Sequence, residues 1–193
     1  MQTRSANIWL CIRLFLTGCL WAGLFGVLHN QLSCTLSPEY FTHFKFQQFG
    51  LPQGIPVRLG AAWVGWAASW WVGGMIAGAL LFWQCVILRV PVNGPRNYRA
   101  FRTALLAAFL AGQSGLLLAE LLLRMGVLEN LQLPLLANLT AAQRAGFIRA
   151  GVMHDASYLG GLIGLLIAGL QLRRGLFGAP PAAVASPADS REK

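Results

Sequence analysis

The residues best suited to acid–base or metal chemistry are three histidines and a few carboxylates. His29, His43 and His154 are the histidines, Asp155 follows His154 directly, and Glu39 lies close before His43. Imidazole and carboxylate together suit transition metals, which makes His29, His43, His154 and Asp155 candidate ligands for a metal or haem. Their spacing fits no ligand pattern such as His-x-x-x-His, and histidines are at ease at a polar–apolar boundary without a metal. No metal site or cofactor is assigned from sequence.

A second set is defined by helical spacing. Gln113, Glu120 and Arg124 are separated by seven and then four residues, which puts them on one stripe of a helix. His154, Ser157, Tyr158 and Gly161 follow at i, i+3, i+4 and i+7, again one face. If these faces meet the His29-Asn30-Gln31 segment, an outward-facing polar pocket forms. Its lining is then His29, Asn30, Gln31, Gln113, Glu120, Arg124, His154, Asp155, Ser157 and Tyr158, with His and Glu able to move protons near neutral pH. The plainer alternative is a local Glu120–Arg124 pair that eases a helix end through the membrane interface. The chain has no Gly-Lys-Ser phosphate loop, Cys-x-x-Cys, Gly-x-Ser-x-Gly or His-Glu-x-x-His, so no motif names a reaction.

The elements that position these residues are set by composition. Of 193 residues, 56% are hydrophobic and 11% charged, against roughly a quarter charged in soluble proteins. A net charge of +9 could mean nucleic acid, but the arginines cluster at the ends of apolar runs rather than forming a basic stripe. The bilayer is the expected partner, and nucleic acid is not. About 20 helical residues cross a hydrocarbon core, and four runs meet that length: 8–28, 61–88, 103–123 and 152–172. The expected fold is an all-α, four-transmembrane-helix bundle forming one domain over 1–177, with a disordered cytoplasmic tail at 178–193. Arg4, Arg13, Arg89, Arg96, Arg99, Arg102, Arg173 and Arg174 flank one face. The positive-inside rule then makes both termini cytoplasmic, an N-in/C-in arrangement in a bacterial inner membrane.

The loops carry their own signals. Ser37-Pro38-Glu39 reads as a helix start, and the aromatic stretch Tyr40, Phe41, Phe44, Phe46 and Phe49 suits a short interfacial helix in the first outer loop, lying in the headgroup region or capping the bundle. Thr140 with Gln143 makes a capping box that opens a helical extension before the fourth span. Gly18-Ala22-Gly26, Gly65-Ser69-Gly73, Gly74-Gly78 and Gly160-Gly164, each in steps of four, allow close helix approach, with packing inside the monomer favoured over a dimer face. Leu16-Thr17-Gly18-Cys19 has the shape of a lipoprotein cleavage box. However, Arg13 interrupts the apolar region before it, so the first helix is expected to stay uncleaved. Cys34 falls in the first outer loop and is expected to be the one accessible thiol.

Together these features point to a small non-catalytic subunit or assembly factor of a membrane complex. Such a protein would meet other membrane proteins through the aromatic loop and the glycine-rich faces. The alternative is a membrane enzyme or small-ligand or metal-binding protein using the polar pocket. A further alternative is a small transporter or channel, which the lack of an internal repeat weakens.

Overall fold

The computed structural model describes residues 2–128 and 133–177, with side chains placed for 8–128 and 133–174. The expected tail at 178–193 lies outside the described residues. The chain is all-helical, with no strand among the described residues, and four of its helices are long and apolar enough to cross a membrane. These are α1 (Gln2–Leu36), α4 (Val57–Phe82), α5 (Gly94–Arg124) and α6 (Ala141–Phe177). Their outward faces are rows of large apolar side chains, among them Leu20, Leu24 and Leu28 on α1, Leu106, Leu110 and Leu117 on α5, and Leu162 and Leu166 on α6. Continuous apolar surface on that scale is what lipid, not water, stabilises.

α1 packs along α4 and α5 along α6, while the two pairs touch each other more sparingly. Small residues decide both seams. Gly26 of α1 lies against the Gly65 backbone of α4, and Gly18 against Gly73 and Ala77. In the second pair Gly115 faces Val152 and Ala156, and Gly160 and Gly164 face Ala104, Ala107 and Ala111. Apart from Gly78, which has nothing within 4 Å of a Cβ, the stripes read from sequence are thus spent inside the chain, where dispersion between close helices replaces the missing hydrophobic drive. The contacts make α1 antiparallel to α4 and α5 antiparallel to α6. They bring the start of α1, the end of α6 and the α4–α5 turn to one end of the bundle, here the terminal end. The other is the loop end.

Local chemistry ends the helices where it should. Asn93 caps α5 through Oδ1, which accepts from the Arg96 backbone, and Pro95 sits in the first turn. At the far end of α5, Gly126 adopts φ 73°, its N–H donates to Leu123 O, and the Val127 N–H donates to Leu122 O. That pair of bonds is a Schellman stop.

At the loop end, α2 (Pro38–Tyr40), a wide helical turn (Phe41–Lys45) and α3 (Phe46–Gln48) run on from one another. Ser37 caps α2 by accepting from the Tyr40 N–H. Tyr40, Phe41 and Phe46 are buried with Phe147 and Ile148 of α6 and Val64 of α4. The aromatics therefore close the loop end from inside rather than presenting themselves outward. α1 runs to Leu36, so Cys34 is a buried helical residue and not a loop thiol. The expectation of an accessible Cys34 is corrected on that ground.

Candidate functional site

At the loop end the bundle brings His29 and His154 together, although they lie on helices from different pairs. Their rings meet edge to face, 4.8 Å between centroids. Each is buried, at 7% and 5% exposure. His154 Nε2 lies 3.0 Å from Ser33 Oγ. The Ser33 hydroxyl has one proton, and it reaches back to the carbonyls of His29 and Asn30. Which of the two groups donates across the His154–Ser33 contact is set by the tautomer of the ring. Tyr40 stacks on the His154 ring at 5.1 Å and Phe25 on the His29 ring at 5.5 Å. Gly112 of α5 makes room for the junction: a Cβ there would strike Ser157 Oγ and approach His29 Cε1 to 3.3 Å.

What distinguishes this junction is unmet hydrogen bonding. Both ring nitrogens of His29 and the Ser157 hydroxyl are buried with no partner among the described residues; the Gln113 amide nitrogen is also unpartnered there, but no contact joins it to the histidines. A buried polar group left unpaired costs on the order of 1–3 kcal/mol, so such a group warrants a physical reason. The junction is closed to water in this conformation, because Tyr40, Phe41 and Phe147 pack over the His154 side. A pocket open to the outside is not what these buried positions describe.

The other expected residues lie elsewhere. Glu120 is eight positions beyond Gly112, about 12 Å along the helix, and its carboxylate is divided between two arginines. Arg124 Nε donates to Oε1 at 2.6 Å and Arg149 Nε to Oε2 at 2.7 Å. Asn30 Nδ2 donates to Ala61 O at 3.0 Å, and Gln31 Nε2 to Arg58 O at 2.9 Å. Both residues tie α1 to α4 and do not join the histidines. His43 is exposed beside Thr42 Oγ1 at 3.0 Å. Among the described residues no three His, Cys, Asp or Glu side chains converge to hold a metal ion.

Asp155 and Tyr158 point outward from α6. Asp155 is exposed, Tyr158 is 61% exposed, and neither has an ion pair or side-chain hydrogen bond among the described residues. Lys45 is held over the Phe44 ring at 4.5 Å and donates to Gln48 Oε1 at 3.1 Å. Burial pulls the Lys45 ammonium below its ordinary value, and the charge of nearby Asp155 works against that. Burial likewise raises the Tyr40 hydroxyl, helped by Tyr158 and Asp155.

Sequence reasoning missed Ser33, Gly112 and Arg149 as members of these sites. Ser33 carried a usable signal, standing one turn from His29 on the same face. It also missed a buried amide pair at the terminal end, where Asn97 Nδ2 donates to Gln84 Oε1 at 2.7 Å. No protein-family model, curated protein or solved structure matches this chain.

Proposed function

We propose that the protein is a non-catalytic subunit or assembly factor of a membrane complex, and that it meets its partner through the outward face of α6. One observation carries this reading: Asp155, an exposed carboxylate with no ion pair or side-chain hydrogen bond among the described residues, stands on the leucine row of a membrane-length helix beside the exposed Tyr158. Ionisable residues in spans ordinarily face protein or a water-filled cavity, because lipid does not solvate them. The loop aromatics and most of the glycine stripes are taken up by packing within the chain, which concentrates the reading on this face. The arginine-rich terminal end supports a cytoplasmic placement of both termini, in a bacterial inner membrane. On that orientation α2 and α3 lie at the outer interface and the first turns of α6 project beyond it.

Photo-crosslinkers at Leu159 and Leu162 should give a discrete protein adduct in cells, and one at Leu118 of α5 should not. Asp155→Asn should weaken the adduct several-fold. Crosslinking to lipid alone at every position refutes the reading. Reporter fusions after Gly94 should score cytoplasmic and fusions after Gly50 periplasmic; the reverse overturns the orientation.

The second reading, a small-ligand protein, is favoured by the unpaired His29 and Ser157 atoms. Native mass spectrometry of the purified chain should then show one small molecule or ion that His29→Phe removes, and a wild-type mass equal to the bare chain rejects it.

A further inference from the structure

The sequence holds six carboxylates: Glu39, Glu120, Glu129, Asp155, Asp189 and Glu192. None lies between 40 and 119, so the arginines around the α4–α5 turn and along the start of α5 have no acidic neighbour in sequence. In the fold this persists: among the described residues the only ion pairs are those of Glu120, at the other end of the molecule. Arg99 and Arg102 are exposed and form no ion pair among the described residues.

These two arginines stand at the mouth of a groove of about 530 Å³ formed where α1 and α5, members of different helix pairs, do not close on each other. Thr103 joins them at the mouth, its hydroxyl 3.0 Å from Gln171 Oε1 of α6. Beyond the mouth the lining is wholly apolar: Leu105, Leu106 and Phe109 of α5, and Phe25 of α1. Arg99, Arg102, Leu106 and Phe109 follow one stripe of α5 at i, i+3, i+7 and i+10. From Arg99 to Phe109 is about 15 Å along the axis at 1.5 Å per residue. That is half of a roughly 30 Å hydrocarbon core, the depth of a single leaflet.

We infer that this groove is a binding site for one anionic phospholipid, with its phosphate between Arg99 and Arg102 and an acyl chain along Leu106, Phe109 and Phe25. Charge decides the occupant. A zwitterionic lipid brings its own cation against two guanidinium groups that have no ion pair among the described residues, whereas an anionic headgroup supplies negative charge alone. Arginine's planar fork suits a phosphate well, and basic recesses between membrane helices on the cytoplasmic side take such headgroups. The assignment does not depend on a partner at α6.

The test uses the full chain in nanodiscs of equal phosphatidylglycerol and phosphatidylcholine, followed by native mass spectrometry of retained lipid. Phosphatidylglycerol should be enriched about tenfold. The double substitution Arg99→Gln/Arg102→Gln should bring the ratio close to one, while Arg173→Gln/Arg174→Gln, outside the groove, should leave it unchanged. Phe109→Ala should shorten retention of both lipids without changing the ratio. Parity in the wild-type chain, or equal loss from the Arg173/Arg174 variant, overturns the site, the latter by showing general charge attraction. A fluorescence-detected elution profile checks that each variant is folded.

Discussion

Replacing Gly26 with alanine tests whether the α1–α4 seam is held by backbone contact. A Cβ at Gly26 would land on the Gly65 carbonyl oxygen, far inside 3.0 Å, and would also strike the Ser69 side chain. The contact is reciprocal, since a Cβ at Gly65 would meet the Gly26 carbonyl. A carbonyl inside a helix cannot rotate away, so the helices themselves must part by on the order of 1 Å to regain ordinary contact. Overpacking of this kind costs about 1–3 kcal/mol. One turn further on, the Asn30–Ala61 bond at 3.0 Å and the Gln31–Arg58 bond at 2.9 Å would stretch. Interhelical hydrogen bonds in membranes contribute roughly 0.6 kcal/mol each on average. Alanine's higher helix propensity returns at most about 1 kcal/mol, leaving a net loss of about 1–3 kcal/mol. Gly78 supplies the control, because nothing lies within 4 Å of a Cβ there; Gly78→Ala should be neutral or slightly stabilising. Unfolding by sodium dodecyl sulfate in mixed micelles, followed by tryptophan fluorescence, reads the difference directly. Equal unfolding midpoints for Gly26→Ala and Gly78→Ala would refute the close-backbone account of the seam.

Glu120→Gln should cost little through Arg124, which is 76% exposed and free to reach water. Any larger loss must come through Arg149, at 30% exposure, and should therefore disappear in an Arg149→Gln background. Combined with His154→Ala, Glu120→Gln should act additively on unfolding, since no hydrogen bond joins the two sites; a coupling above about 0.5 kcal/mol would place them in one network after all. Ser33→Ala and His154→Phe, by contrast, share the 3.0 Å bond and should couple by roughly 0.5–3 kcal/mol. Cys34, 3% exposed, should resist a membrane-impermeant maleimide in intact cells and react only after denaturation; rapid labelling would contradict the buried position at the end of α1.

The sequence alone determined that four segments are helices of membrane length. Long apolar runs with arginines at their ends have few stable alternatives in lipid, where every backbone hydrogen bond must be made within the segment or in a closed barrel. It also determined that glycines in steps of four would mostly be contact faces, Gly78 being the exception, because only the smallest residues let helix backbones approach. The Glu120–Arg124 pair was legible for the same local reason, a spacing of one turn. What sequence could not supply is height and rotation of one helix against another. Glu120 and Gln113 do share a stripe, yet Glu120 stands too far along α5 to reach the histidines, and its second arginine comes from position 149. His29 and His154 meet only because Gly112 leaves space between α1, α5 and α6. Whether the loop aromatics face outward or inward was equally open, since their spacing is the same in both cases. The burial of Tyr40, Phe41 and Phe46 against α4 and α6 was decided by packing, which depends on surfaces far apart in the chain.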